Sequence, residues 1–113
     1  MLQIQTKQVE PDITVLEMAG KITIGRDCKQ LEWITDNLIK ENQKKIIFDL
    51  TGVTMVDSTG IGILVMSAGL LKNAGGSLRV VCSGGHVEQV LKMTNVDKVI
   101  DIHPTAVAAA AGF

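Results

Sequence analysis

The period of apolar and polar positions changes several times along this chain, and each change marks an element. Leu2 to Val9 starts in alternation, Leu2 and Ile4 against Gln3 and Gln5, as a half-buried edge strand does. Glu10-Pro11-Asp12 is a turn signal. Ile13 to Ala19 predicts a second strand closed by Gly20, so the chain opens on a hairpin. Lys21-Ile22-Thr23-Ile24-Gly25-Arg26 reads as a connection. From Asp27 to Asn42 the period becomes helical: Cys28, Leu31, Ile34, Thr35 and Leu38 share one face, Lys29, Asp36 and Lys40 the other, and Asp27 is placed to cap the first turn. At 100° per residue Trp33 stands about 160° from the centre of that apolar stripe. We expect it to cover a loop, the alternative being an exposed partner contact.

Ile46-Ile47-Phe48-Asp49-Leu50 is a continuous apolar run ending in an acid and a leucine, which suits a central strand buried on both faces. Thr51 to Asp57 links it to Ser58–Asn73, a helical segment with almost no polar face. Ser58 is a good N-cap there, and Asn73 with Gly75-Gly76 supplies the stop. Ser77 to Cys82 predicts another strand. Ser83-Gly84-Gly85 introduces a short helix with Val87, Val90, Leu91 and Thr94 on one face, and Val99–Ile102 is a last short strand. Pro104 opens an alanine-rich tail, 104–113, expected as a short helix. Strands separated by helices imply parallel crossovers. The expected fold is a single α/β domain over residues 1–113: a mixed central β-sheet with an N-terminal antiparallel hairpin and helices packed on the sheet.

Charge and composition narrow the function. Eleven Lys and Arg against twelve Asp and Glu leave a net charge of −1, without the basic surplus that gripping DNA, RNA or an anionic membrane requires. No apolar run approaches the ~20 residues of a membrane span. Met1-Leu2-Gln3-Ile4-Gln5 lacks the basic start and apolar stretch of a secretory signal. The expectation is a soluble, cytoplasmic domain with no direct nucleic-acid contact and no membrane insertion. Cys28 and Cys82 stand alone, with no His at metal-ligand spacing, and read as small buried hydrophobes. No metal and no cofactor is expected. With one Trp, two Phe and no Tyr there is little to stack bases or sugars on.

The oddest stretch is Met55 to Gly69. Each of Gly60, Gly62 and Gly69 gives up ~1 kcal/mol relative to alanine in a helix, so something must offset the loss. For Gly69 we expect close packing against the sheet. Gly60 and Gly62, in the first turn beside Ile61, leave room for a second molecule and suit a protein interface better than a small-molecule pocket. Ser58 sits where a strand's carboxyl end meets a helix N-terminus, the usual place for a site in an α/β sheet. It is either a cap alone or a phosphate acceptor, because free N–H groups and the helix dipole favour an anion there while Asp57 repels one. Enzyme readings lack parts. Asp57-Ser58-Thr59-Gly60 is one residue longer than the Asp-Thr/Ser-Gly loop of aspartic proteases, and there is neither Gly-x-Ser-x-Gly nor a phosphate loop ending in Lys-Ser/Thr. No catalytic residue is assigned.

As a block, Phe48-Asp49-Leu50 followed by Val53 and Met55-Val56-Asp57-Ser58-Thr59-Gly60-Ile61-Gly62 resembles the signature of the STAS domain family, specifically the bacterial anti-sigma factor antagonists. The similarity takes in the hairpin ending in Gly20, the Gly75 to Val81 strand entry and the Val87 to Asp101 close. It implies a non-catalytic switch protein that binds a kinase-type anti-sigma factor, is phosphorylated by that kinase and loses the association, and is reset by a phosphatase, so that transcription is regulated indirectly. Carried over, Ser58 matches the phosphoacceptor and Asp57 the acid beside it. Thr59, Gly60, Ile61 and Gly62 match the start of the helix facing the partner. Ile22, Thr23, Ile24, Gly25 and Arg26, with Ser83 and Gly84, match neighbouring parts of that face. A weak homodimer is compatible with this reading. Two alternatives stand beside it: a non-switching scaffold STAS protein of a signalling assembly, and a STAS subunit of a membrane lipid-transport complex.

Overall fold

The computed structural model describes residues 2–113; Met1, the first residue of the N-terminal segment considered above, lies outside them. In order come β1 (Gln3–Val9), β2 (Ile13–Ile22), α1 (Arg26–Lys40), β3 (Lys45–Val56), α2 (Ser58–Asn73), β4 (Ser77–Val81), α3 (Gly85–Met93), a single 3-10 turn at Val96–Lys98, β5 (Asp101–His103) and α4 (Ala106–Ala110). The strands form one sheet in the order β1-β2-β3-β4-β5. The opening hairpin is antiparallel and every later pairing is parallel, as the alternation of strand and helix demanded.

Each crossover steps the sheet in the same direction, so α1, α2 and α3 all pack on one face. Leu16 and Met18 of β2, Ile46 and Phe48 of β3 and Val80 of β4 meet Cys28, Leu31 and Leu38 of α1, Ile63, Leu64 and Leu71 of α2, and Val87 and Leu91 of α3. The alternate strand residues point the other way, where Ile13, Val15, Ile47 and Val81 gather under Ala109 of α4. Ile46, Ile47 and Phe48 are therefore buried on both faces, as their unbroken apolar run predicts. Both cysteines are free and buried.

Two strands run further than the sequence suggested. Gly20 does not close β2, which continues to Ile22, and β3 continues past Leu50 to Val56. The β2–β3 register shifts between Glu17 and Ala19 and again between Gly20 and Lys21. Gly52 sits at the first irregularity, where a Cβ would come within 2.9 Å of the Met18 carbonyl oxygen and 3.0 Å of Ala19 Cβ. Absence of a side chain lets the two strands stay paired through the bulge. The result is that Ile22 and Val56 end side by side, which positions the site described below.

The tail is anchored. Thr105 Oγ1 caps α4 by accepting from the Ala108 N–H at 3.1 Å. At the other end the Arg79 guanidinium donates to the carbonyls of Ala109 and Ala111, both at 2.9 Å, and lies 4.3 Å from the Phe113 ring centroid. Arg79 thus satisfies helix-end carbonyls with a charged donor and covers an aromatic ring. Arg79→Ala is expected to lower stability by about 1–2 kcal/mol in urea titration and to speed amide exchange in α4 selectively.

Candidate functional site

The site is built on the junction of β3 and α2. Asp57, not Ser58, is the N-cap: it has extended backbone angles, and its Oδ1 accepts from the Gly60 N–H at 2.8 Å. Its Oδ2 accepts from the Ile24 N–H at 2.9 Å. One carboxylate therefore fastens the first turn of α2 to the β2–α1 loop, 33 residues away in sequence. The Asp57 N–H donates to the Ile22 carbonyl at 3.2 Å, closing the junction from the backbone side. That geometry is available only because β2 extends to Ile22. The loop's own helix is capped differently from expectation: α1 starts at Arg26 with Gly25 as N-cap, at φ 125, and Asp27 lies inside the first turn without a capping bond. Its charge still opposes the positive end of the helix.

Backbone donation holds the Asp57 carboxyl below its ordinary value, chiefly the Gly60 N–H and then the Ile24 N–H. The unfolded chain consequently binds a proton that the folded chain resists. The stabilisation is complete above the usual carboxylate range and fades as pH falls through the lowered folded value. Asp57→Ala should flatten the acid limb of a plot of urea midpoint against pH, and should speed amide exchange at Gly60 and Ile24.

Displaced from the capping role, Ser58 is the first residue of α2 and is exposed. Thr59 and Ile61 are half-buried beside it. The two early glycines separate by role. Gly60 is buried; a Cβ there would collide with the Ile22 carbonyl oxygen and approach Val56 Cγ1 to 2.8 Å, so it is the close-packing glycine. Gly62 is exposed and a Cβ on it meets nothing within 4 Å. Gly69, expected against the sheet, is also open to solvent, because the face of α2 that packs carries Ile63, Leu64, Ser67 and Leu71 instead.

Ile22 is buried as the last residue of β2, while Thr23, Ile24, Gly25 and Arg26 form the loop, Ile24 being 77% exposed. The structure thus brings Ile22–Arg26 and Asp57–Gly62 together. Ser83 and Gly84 lie elsewhere along the sheet. β4 ends with Val81 opposite Asp49, far short of Val56. Ser83 and Gly84 line a separate groove of about 340 Å³ with Val53, Thr54 and His86, and none of Asp57–Gly62 reaches it. Trp33 covers no loop: it is 67% exposed and borders a shallow apolar groove with Met66 and Leu70 of α2. Among the described residues no cluster of His, Cys, Asp or Glu is arranged to hold a metal, and no helix is long and apolar enough to cross a membrane.

The STAS domain family model matches residues 4–109, which spans the sheet and its helices. The chain belongs to the STAS domain family. This STAS domain is 26% identical over 98 residues to a Thermotoga maritima protein that carries the provisional name of anti-sigma factor antagonist, covering 87% of both chains. A crystal structure of a Thermotoga maritima protein with the same provisional name superposes with a TM-score of 0.85 at 26% identity, covering 94% of this chain and 90% of that one. The anti-sigma factor antagonist SpoIIAA in its unphosphorylated form shares the fold, with a TM-score of 0.73 at 15% identity over 96% of this chain and 94% of that one. The expected α/β architecture is therefore that of the family. The residues that sequence reasoning did not single out are those of the exposed apolar face, Val65, Met66 and Leu70, which a helix apolar all round could not distinguish from its packed side.

Proposed function

We propose that this STAS domain is an anti-sigma factor antagonist that docks a kinase-type anti-sigma factor on the surface formed by the Ile22–Arg26 loop and the first turn of α2, and is switched off by phosphorylation of Ser58. The observation that carries the reading is the placement of Ser58. It is exposed at the first position of a 16-residue helix, beside the open Gly62, on a turn that the Asp57 carboxylate holds rigid. A kinase can reach such a hydroxyl, and a flat partner surface can approach over the missing side chain. Phosphorylation adds about −1.5 to −2 charges beside the Asp57 carboxylate. The helix dipole tolerates that dianion in the free protein, but burying it unpaired at an interface is costly, so the complex dissociates. A phosphatase restores the hydroxyl. In this role the domain acts in the cytoplasm, catalyses nothing itself and affects transcription through its partner. Names of relatives support the partner class, and the Met55–Gly62 signature supports the acceptor.

The test is capture. Lysate from the source cells is passed over immobilised wild type, Ser58→Ala and Ser58→Asp, and retained proteins are identified by mass spectrometry. The reading expects a kinase-fold protein on the first two columns and its loss from the third. The same proteins on all three columns contradict the switch; capture of a permease or of other scaffold subunits supports those alternatives.

A further inference from the structure

The exposed face of α2 is self-complementary. Its residues in order are Ser58, Ile61, Gly62, Val65, Met66, Gly69, Leu70 and Asn73, and apart from the half-buried Ile61 all are exposed. Read from either end they run polar, large apolar, glycine, large apolar, with the midpoint between Val65 and Met66. At 100° per residue the two glycines fall within about 10° of the centre of this stripe, with Val65 and Met66 flanking them. Neither glycine has a reason inside the fold, since a Cβ on Gly62 or Gly69 meets nothing within 4 Å, yet each lowers helix stability by ~1 kcal/mol relative to alanine. Bare backbone at the centre of an apolar stripe permits one helix to approach another closely.

We propose that this face pairs with the same face of a second copy of the chain, as an antiparallel α2–α2 contact whose two-fold axis passes between Val65 and Met66. In that register Gly62 of one copy faces Gly69 of the other, Ile61 faces Leu70, and Ser58 faces Asn73. A two-fold contact requires the same patch on both sides, and this patch supplies its own complement. Electrostatics agrees. Lys72 is the one charged residue of α2, and the pairing carries it to the other copy's helix start, near the half-exposed Asp57. Antiparallel helices also oppose their dipoles. Exposed Trp33, beside Met66 and Leu70 with Lys29, Glu32 and Asp36 around it, gives the contact a wider apolar margin and a charged rim.

Size sets the strength. A 16-residue helix is about 24 Å long. With the Trp33 margin the contact buries on the order of 500 Å² per copy, below the ~800 Å² per partner of a stable complex. The dimer is therefore weak and reversible, and it covers Ser58, so it competes with any partner that docks there. The pairing requires neither that Ser58 be a phosphate acceptor nor any particular partner at that surface.

Sedimentation velocity on the wild-type chain should show the average mass rising from one chain toward two as concentration increases, and Met66→Lys, which alters an exposed position, should abolish the rise. Register is tested with cysteine variants, the native Cys28 and Cys82 being buried. Under mild oxidation an equimolar mixture of Gly62→Cys and Gly69→Cys chains should cross-link at least tenfold more than either variant alone. Both substitutions enter open space, so folding is retained. A mass that stays monomeric up to millimolar protein overturns the proposal, as does cross-linking of either single variant as efficient as that of the mixture.

Discussion

Gly60→Ala is expected to lower the stability of the domain by about 2–3 kcal/mol, whereas Gly62→Ala, two residues on in the same helix, should leave it unchanged or raise it by up to about 1 kcal/mol. The backbone makes the difference. At Gly60 an added methyl meets the Ile22 carbonyl oxygen, which cannot rotate away, and Val56 Cγ1 at 2.8 Å. Relief requires α2 to lift from the end of the sheet, which stretches the Asp57 bonds to Gly60 and Ile24. The loss exceeds the gain in helix propensity. At Gly62 only the gain remains. Urea titration of the two variants measures the contrast, and equal midpoints would show that α2 does not pack on Ile22 as closely as described.

The second large effect is on binding. Ser58→Asp should weaken association with the kinase-type partner at least 100-fold, about 2.7 kcal/mol at 25 °C, while Ser58→Ala stays within a few-fold of wild type. Truncating a buried charge contact commonly changes affinity by 2–5 kcal/mol, and placing an unpaired carboxylate in a desolvated interface works by the same physics. Aspartate carries less charge than a phosphoryl group, so the modification itself should act more strongly. Ser58→Ala removes a hydroxyl that caps nothing, because Asp57 holds the capping position. Both variants should therefore keep the wild-type melting temperature, which separates loss of binding from loss of fold. Titration calorimetry with the purified partner gives the ratio.

Much of this was legible in the sequence because the relevant signals are local. Alternation at Leu2 to Gln5, the apolar run Ile46–Phe48 and the 3.6 period from Cys28 to Leu38 fix strands and helices by burial alone, and their order fixes a mostly parallel sheet. What escaped depends on contacts between distant residues. Gly20 reads as a break and Thr51 to Asp57 as a link, but the structure carries β2 and β3 through register shifts there, and the length gained brings Ile22 beside Val56. Asp57 and Ser58 are equally good caps by residue type. The choice is decided by the Ile24 N–H, which only the folded loop presents. The period correctly put Trp33 on the solvent side of α1, but no loop comes to cover it. Gly69 could not be oriented at all, since α2 has apolar residues on every side and its rotation is set by which of them meet β3 and β4.

For the site, the Met55–Gly62 block indicated the strand–helix junction on which the proposed surface is built. Ser83 and Gly84 were grouped with it through the family resemblance, which carries no information on where each strand of this chain ends. β4 stops opposite Asp49, so the loop after it opens onto a different groove. The unequal strand lengths divide the sheet's carboxyl edge into two surfaces, of which the one around Ser58 carries the proposed switch.

The most direct measurement is to incubate the purified domain with its captured kinase-fold partner and ATP, map the modified residue by mass spectrometry, and follow the complex by size-exclusion chromatography over the same time course. The proposed switch requires one phosphoryl group on Ser58, none on the Ser58→Ala chain, and dissociation of the wild-type complex in step with the modification. Phosphorylation at another residue, or a complex that persists once Ser58 is fully modified, would contradict it.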